Sequence, residues 1–303
     1  MSPSRACSLL AALLATVCAV LSARAAAIEA IDGTGNTVRL AAPARRIVSL
    51  APNVTEMLFA AGAGDSIVGA VEYSDYPEAA KSVPRVGGHS GYDIERILAL
   101  KPDLVVAWVG GNPSAQLEKL KALGLVVYVS NPRGLEDIAN EIERLGELSG
   151  KQDPARRAAV MFRARLAQLR VRHAGRSPVR VFYQVWNQPL MTVNGDDLIS
   201  KAITLCGGVN VFAALPILAP RVDVEAVLAA DPGAIVAGGD GNARPVWLDE
   251  WRRWPQLRAV RHGNLFHIPP DIMQRHGPRI LDGAERLCGM LETARARSAD
   301  VKP

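Results

Sequence analysis

One phrase occurs twice in this chain. The run Asp93-Ile94-Glu95-Arg96-Ile97-Leu98-Ala99-Leu100-Lys101-Pro102-Asp103-Leu104-Val105-Val106-Ala107 returns 130 positions later as Asp223-Val224-Glu225-Ala226-Val227-Leu228-Ala229-Ala230-Asp231-Pro232-Gly233-Ala234-Ile235-Val236-Ala237. Solenoid units recur roughly every 20–50 residues, so a copy this distant points to two related lobes instead. Each lobe then carries one helix with an acidic start, closed by a residue before proline and followed by an apolar strand.

The texture around the phrase agrees. From Arg46 short apolar runs alternate with amphipathic segments, the pattern of an α/β layer on a largely parallel sheet. Strands are predicted at Ile47 to Leu50, Ile67 to Val71, Leu104 to Ala107 and Val126 to Val129, with helices beginning near Asn53, Asp93, Pro113 and Gly134. Asp153-Pro154 reads as an N-cap followed by proline at the first helical position. The stretch Ala155 to Ala174 has no Gly or Pro, which predicts one helix about 30 Å long. Alternation resumes at Val179 to Val185, with a helix from Asp197 to Cys206, a strand at Leu265 to Ile268 and a last helix from Arg279 to Arg295. The expected fold class is α/β, two α/β lobes joined by one long helix: a lobe over 26–150, a connecting helix over 151–176 and a second lobe over 177–303.

Residues 1–25 pair Arg5 with an apolar stretch and end in Ala23-Arg24-Ala25, the form of a cleaved secretory signal and too short for a stable membrane span. Val17 before Cys18 argues against a lipid anchor. The expected location is the periplasm, without membrane insertion. Cleavage leaves Cys206 and Cys288, and a net charge of +5 becomes +3. Two thiols in an oxidising compartment are expected to form one disulfide, with two buried free thiols as the alternative. So small a charge excess, with no basic run interleaved with aromatics, speaks against nucleic acid. His173, His262, His267 and His276 show no paired spacing, so no directly bound metal is expected. The sequence Gly88-His89-Ser90-Gly91 echoes a hydrolase nucleophile elbow, but Tyr92 stands where that turn needs glycine.

Several stretches taken together resemble the helical-backbone class of periplasmic binding proteins, substrate receptors of ABC importers for cobalamin, haem and ferric siderophores. They are Arg46 to Pro52 with Thr55-Glu56, Tyr73-Ser74-Asp75-Tyr76-Pro77, and Glu95 to Leu104. Within the class the cobalamin receptors are most similar, through Ala107-Trp108 with Gly110-Gly111-Asn112, and Asp271 with Arg275, Pro278 and Arg279. The resemblance spans about Arg46 to Leu291. It implies a periplasmic, monomeric receptor for a small-molecule metal chelate, cobalamin or another corrinoid, held in the interlobe cleft and delivered to the importer's transmembrane subunits. No cofactor and no enzymatic activity are implied.

A corrin is wide, flat and apolar with polar edges, so its receptor needs aromatic faces and a few oriented polar groups. By resemblance Tyr73 and Trp108 supply faces. Asp271, Ile272, Met273, Gln274 and Arg275 are expected to form a contact loop after the last strand. His89, Met191, Ala219 and Ile272-Met273 stand where the cobalamin receptors carry aromatics. Trp186 offers a replacement face. His89 has two readings, an axial ligand to the bound chelate's metal or a loop histidine bonded to backbone. Haem or a ferric siderophore remains the alternative cargo. The resemblance also assigns Glu95 and Glu225 to docking on the two membrane subunits, while helix-dipole stabilisation is the simpler role for a first-turn glutamate.

Overall fold

The computed structural model describes residues 27–88, 91–239 and 241–300. A hairpin, β1 (Ile28–Ile31) and β2 (Thr37–Leu40), precedes the first lobe. That lobe contains β3 (Ile47–Ser49), α1 (Pro52–Ala60), β4 (Ile67–Ala70), β5 (Gly87–Gly88), β6 (Gly91–Tyr92), α2 (Ile94–Ala99), β7 (Leu104–Trp108), α3 (Ser114–Ala122), β8 (Val127–Ser130) and α4 (Leu135–Ser149). After α5 (Gln152–Arg172) come β9 (Val179–Gln184), α6 (Leu198–Leu205), β10 (Gly208–Asn210), α7 (Val224–Ala230), β11 (Ala234–Ala237), α8 (Arg258–Arg261), β12 (Leu265–His267), α9 (Pro270–Met273) and α10 (Ile280–Asp300).

Each lobe is built on four parallel strands, ordered β4-β3-β7-β8 in the first and β10-β9-β11-β12 in the second. The repeated phrase is α2 leading into β7 and α7 leading into β11, the same place in both sheets. Its backbone repeats too. Asp93 and Asp223 are N-caps whose carboxylates accept from Arg96 N and Ala226 N. Lys101 and Asp231, the residues before each proline, both adopt positive φ, 46° and 39°. The next strand then runs buried through both cores, except for Trp108 at the end of β7, as a central parallel strand does.

Helix α5 joins the lobes. Ala155, Ala159, Phe162, Leu166 and Leu169 are buried along one face, the spacing of an amphipathic helix. They belong to one continuous apolar cluster that also contains Ile47 and Leu104 of the first lobe and Val181 and Val236 of the second. The helix starts at Gln152 with Lys151 as its cap, not at the expected Asp153-Pro154. The reason is local: Gly150 closes α4 in the left-handed conformation (φ 69°), and Lys151 N donates to Gly146 O at 2.7 Å. The chain therefore turns straight from one helix into the next. Pro154 falls in the first turn, where amides lack intrahelical acceptors anyway.

The sequence reading left out the β1–β2 hairpin and the edge strand β10, along with the short elements β5, β6 and α8. The β1–β2 hairpin turns at Asp32, whose carboxylate accepts from Thr34 N and Asn36 N, and Gly33 N donates to Val129 O, fixing it beside β8. Asp-Gly-Thr-Gly-Asn between alternating runs is a hairpin signal that sequence does carry. The edge strand β10 has three residues and carries none.

Cys206 and Cys288 are joined in a disulfide spanning 82 residues between the end of α6 and the middle of α10, both fully buried. In the chain-entropy account such a loop closure contributes about 4 kcal/mol. Replacing both cysteines by alanine is expected to lower unfolding stability by about 2–5 kcal/mol, measured by urea titration of oxidised wild type beside the double variant.

Candidate functional site

Parallel sheets place their ligand contacts at the carboxyl ends of the strands, and here those ends face each other across the interlobe gap. On the first-lobe side Trp108 is the last residue of β7. Its N–H donates to Asn112 Oδ1 at 2.5 Å, and Asn112 in turn donates to Leu50 O at 2.8 Å and to the Tyr92 hydroxyl. Gly110 and Gly111 fold over the indole; a Cβ on Gly110 would stand 2.3 Å from its ring. The ring is therefore aimed before any ligand arrives. It meets His276 of the second lobe edge-on, centroids 5.2 Å apart. Trp108, Asn131, Arg133, Lys201, Leu218 and His276, three from each lobe, help to line a cavity of about 470 Å³.

Tyr73 follows β4 with φ 62° and 71 % of its surface exposed. Left-handed backbone is costly for a bulky residue and persists where the surroundings hold it. They do so here on its C-terminal side: buried Ser74 accepts from Thr55 Oγ1 at 2.9 Å, and Asp75 accepts from Arg275 Nη1 at 2.6 Å. The fold thus holds a large aromatic face out into solvent.

An ionic cluster crosses between the lobes below these aromatics. Glu56, on α1, accepts from Arg279 Nε at 3.0 Å and Arg279 Nη2 at 2.6 Å, with Arg275 Nη1 at 3.5 Å. The Glu56 side chain is 1 % exposed. Burial pushes its carboxyl above the ordinary value despite the pull of both arginines. Arg279 also stacks over the Tyr76 ring, 4.1 Å from its centroid. Burial is likewise the largest influence on Asp75 and acts upward, but the hydrogen bond and charge of Arg275 outweigh it and leave that carboxyl below its ordinary 3.8.

A depressed carboxyl stabilises the fold above its unfolded value, and that contribution is lost as pH falls through the folded value. Asp75 is 42 % exposed, so solvent screens the pair and the contribution is about 1 kcal/mol or less. Acid titration below pH 4 is expected to show a shallower stability loss for Asp75→Asn than for wild type. Glu56, whose raised carboxyl acts with the opposite sign, is common to both proteins.

The sequence-predicted residues divide. Trp108 lines the interlobe cavity, and Tyr73 stands exposed beyond β4. Asp271 lies on the short helix α9, not in a loop, and its carboxylate is 2.7 Å from Arg275 Nη2. Arg275 is thereby tied to Glu56, Asp75 and Asp271. Ile272 is partly buried against the main core, and Met273 is completely buried within it. Met273 therefore faces α10, where a Cβ on Gly283 would stand 2.9 Å from its sulfur, and offers the cleft nothing. Gln274 turns back onto Val185 O at 3.4 Å. Trp186 borders a separate, smaller cavity. His89 lies outside the described residues, as do Ser90 of the elbow-like tetrapeptide and the whole predicted signal segment 1–25.

Glu95 and Glu225 are exposed in the first turns of α2 and α7. Among the described residues no three His, Cys, Asp or Glu side chains converge as a metal site, and no helix is long and apolar enough to cross a membrane. The sequence reading missed His276 and the cross-lobe use of Glu56, Asp75 and Arg279, although the last three stand inside the stretches that carried the resemblance.

Known proteins share this architecture. A vitamin B12-binding protein of Vibrio cholerae is 41% identical over 253 residues, 83% of this chain and 91% of its own length. One from Photorhabdus laumondii is 40% identical over 246 residues, 81% of this chain and 87% of its own. The crystal structure of the periplasmic vitamin B12 binding protein BtuF of Vibrio cholerae superposes with a TM-score of 0.77 at 40% identity, covering 84% of this chain and 98% of that one. The periplasmic heme-binding protein RhuT from Roseiflexus shares the fold at 23% identity, TM-score 0.72, over 82% of this chain and 99% of its own. The family model for periplasmic binding proteins matches residues 47–272, most of both lobes and all of the helix between them. With two repeat-related lobes on one helical spine and aromatic faces at their facing edges, the chain belongs to the periplasmic binding protein family.

Proposed function

We propose that this protein captures cobalamin or a related corrinoid in the interlobe cleft and delivers it to the transmembrane subunits of an ABC importer. The observation that carries the reading is the 41% identity to a vitamin B12-binding protein across both lobes. The site chemistry supports it. Tyr73 and Trp108 offer flat apolar area, and the Trp108 ring, already packed under Gly110 and Gly111, is covered by a macrocycle with little entropy loss. Asp271, 30 % exposed and held by Arg275, is an acceptor that side-chain amides of a corrinoid can reach. The corrinoid is cargo, not a resident cofactor.

The protein works in the periplasm as a monomeric receptor without catalysis, after loss of residues 1–25. Glu95 and Glu225 present one carboxylate per lobe to a roughly two-fold membrane partner, where charge fixes register and association rate. The cross-lobe ionic cluster and the shared core favour small lobe movements, so the cleft is largely preformed for its ligand.

Competition tests the cargo. Purified mature protein is incubated with equal amounts of cyanocobalamin, haemin and a ferric siderophore, and the complex is read by native mass spectrometry. The corrinoid adduct is expected to dominate; a haemin or siderophore adduct in its place would overturn the reading.

A further inference from the structure

Two loops of the second lobe meet outside the main cleft. One follows β9 and carries Trp186, Asn187 and Gln188; the other follows β11 and leads to Trp247. These four residues line a cavity of about 260 Å³. Its two aromatic walls are held in fixed relation. Trp247 sits on a 3-10 helix, Val246–Arg253, anchored by buried Leu248 and Trp251. Trp251 Nε1 donates to Gln184 Oε1 at 2.7 Å, and Gln184 Nε2 donates to Asn187 Oδ1 at 3.0 Å. That relay links the support of one tryptophan to the loop of the other. Asp249 braces the same helix through a two-pronged pair with Arg244, 2.7 and 2.9 Å, and a bond from Arg252.

Trp186 donates its own Nε1 to Gln188 O at 3.0 Å, yet 42 % of its surface stays exposed. Its donor is spent within the loop, so what it presents is a ring face. An exposed indole in so braced a setting is suited to a partner that stacks. The cavity falls below the about 300–1,000 Å³ of a complete small-molecule site, room for one fused ring system rather than a macrocycle. Among the described residues none of its walls is ionisable, which selects a neutral heteroaromatic. The notch adjoins the cleft, because Gln274 Nε2, beside Arg275, reaches Val185 O just ahead of Trp186.

We infer that Trp186 and Trp247 form a subsite for the nucleotide base of a base-bearing corrinoid. This rests on the corrinoid reading above and deepens it: the macrocycle occupies the cleft and its appended base stacks in the notch. Trp247 then becomes a specificity-determining residue that distinguishes complete cobamides from cobinamide, which lacks the base.

The test is a titration of wild type, Trp247→Ala and the bulkier aliphatic Trp247→Leu with cyanocobalamin and with dicyanocobinamide, followed by calorimetry. Both variants are expected to bind cyanocobalamin about tenfold more weakly, the size of a lost base–aromatic stack. Their cobinamide affinity should stay within about twofold of wild type, since that ligand has nothing to stack. Equal loss for both ligands, or no loss for either, overturns the subsite while leaving corrinoid binding standing. Failure of wild type to bind either corrinoid overturns the functional reading and the subsite with it.

Discussion

Reversing Glu95 and Glu225 together to arginine is expected to abolish corrinoid uptake while leaving corrinoid affinity unchanged. Both glutamates are exposed on first turns, each behind an aspartate N-cap that the substitution does not touch. Loss of favourable dipole placement costs about 0.3–1 kcal/mol per helix, too little to unfold either lobe. Like charges facing across an interface cost several kcal/mol, so docking on cationic partners should weaken by about a hundredfold or more. Each single reversal should fall between. Uptake by whole cells expressing the variants, beside calorimetry on the purified proteins, separates docking from binding. Normal uptake by the double variant would leave the glutamates as helix stabilisers only.

The largest loss of stability is expected from Glu56→Ala. Its carboxylate is almost wholly buried and neutralises Arg279, with Arg275 close behind. Removing one partner of a buried pair leaves uncompensated charge and costs about 3–5 kcal/mol. For a chain of this size that lowers Tm by about 5–9 °C. The paired change Glu56→Met with Arg279→Leu removes both charges and should recover part of the loss, because well-packed apolar replacements of buried ion pairs are often tolerated. Thermal unfolding followed by circular dichroism decides it. A loss below about 1 kcal/mol in Glu56→Ala, the scale of a surface pair, would show that the cluster does not hold the lobes together.

Much of the fold was legible because its signals are local or repeated. The duplicated phrase marked equivalent helices and strands, and the structure repeats even the positive φ of Lys101 and Asp231. The long helix followed from a stretch without Gly or Pro, although its first residue depended on Gly150 in the helix before. Cys206 and Cys288 are the only thiols outside the predicted signal segment. What escaped was long-range or too short. Glu56 and Arg279 lie 223 residues apart, and no spacing rule brings them together. The four-residue helix α9 has one turn, too little for periodicity to separate buried Met273 from its neighbour Asp271. Trp247 stands in a tryptophan-rich stretch with Trp251 and Trp254, but its meeting with Trp186 depends on how two strand ends are placed side by side.

Calorimetric titration of the purified mature protein with cyanocobalamin tests the central claim most directly. One corrinoid should bind per chain, and Trp108→Ala should weaken it by about tenfold, the scale of one well-placed aromatic contact. Absence of corrinoid binding, or binding that Trp108→Ala leaves unaltered, would contradict a corrinoid receptor that holds its cargo between the two lobes.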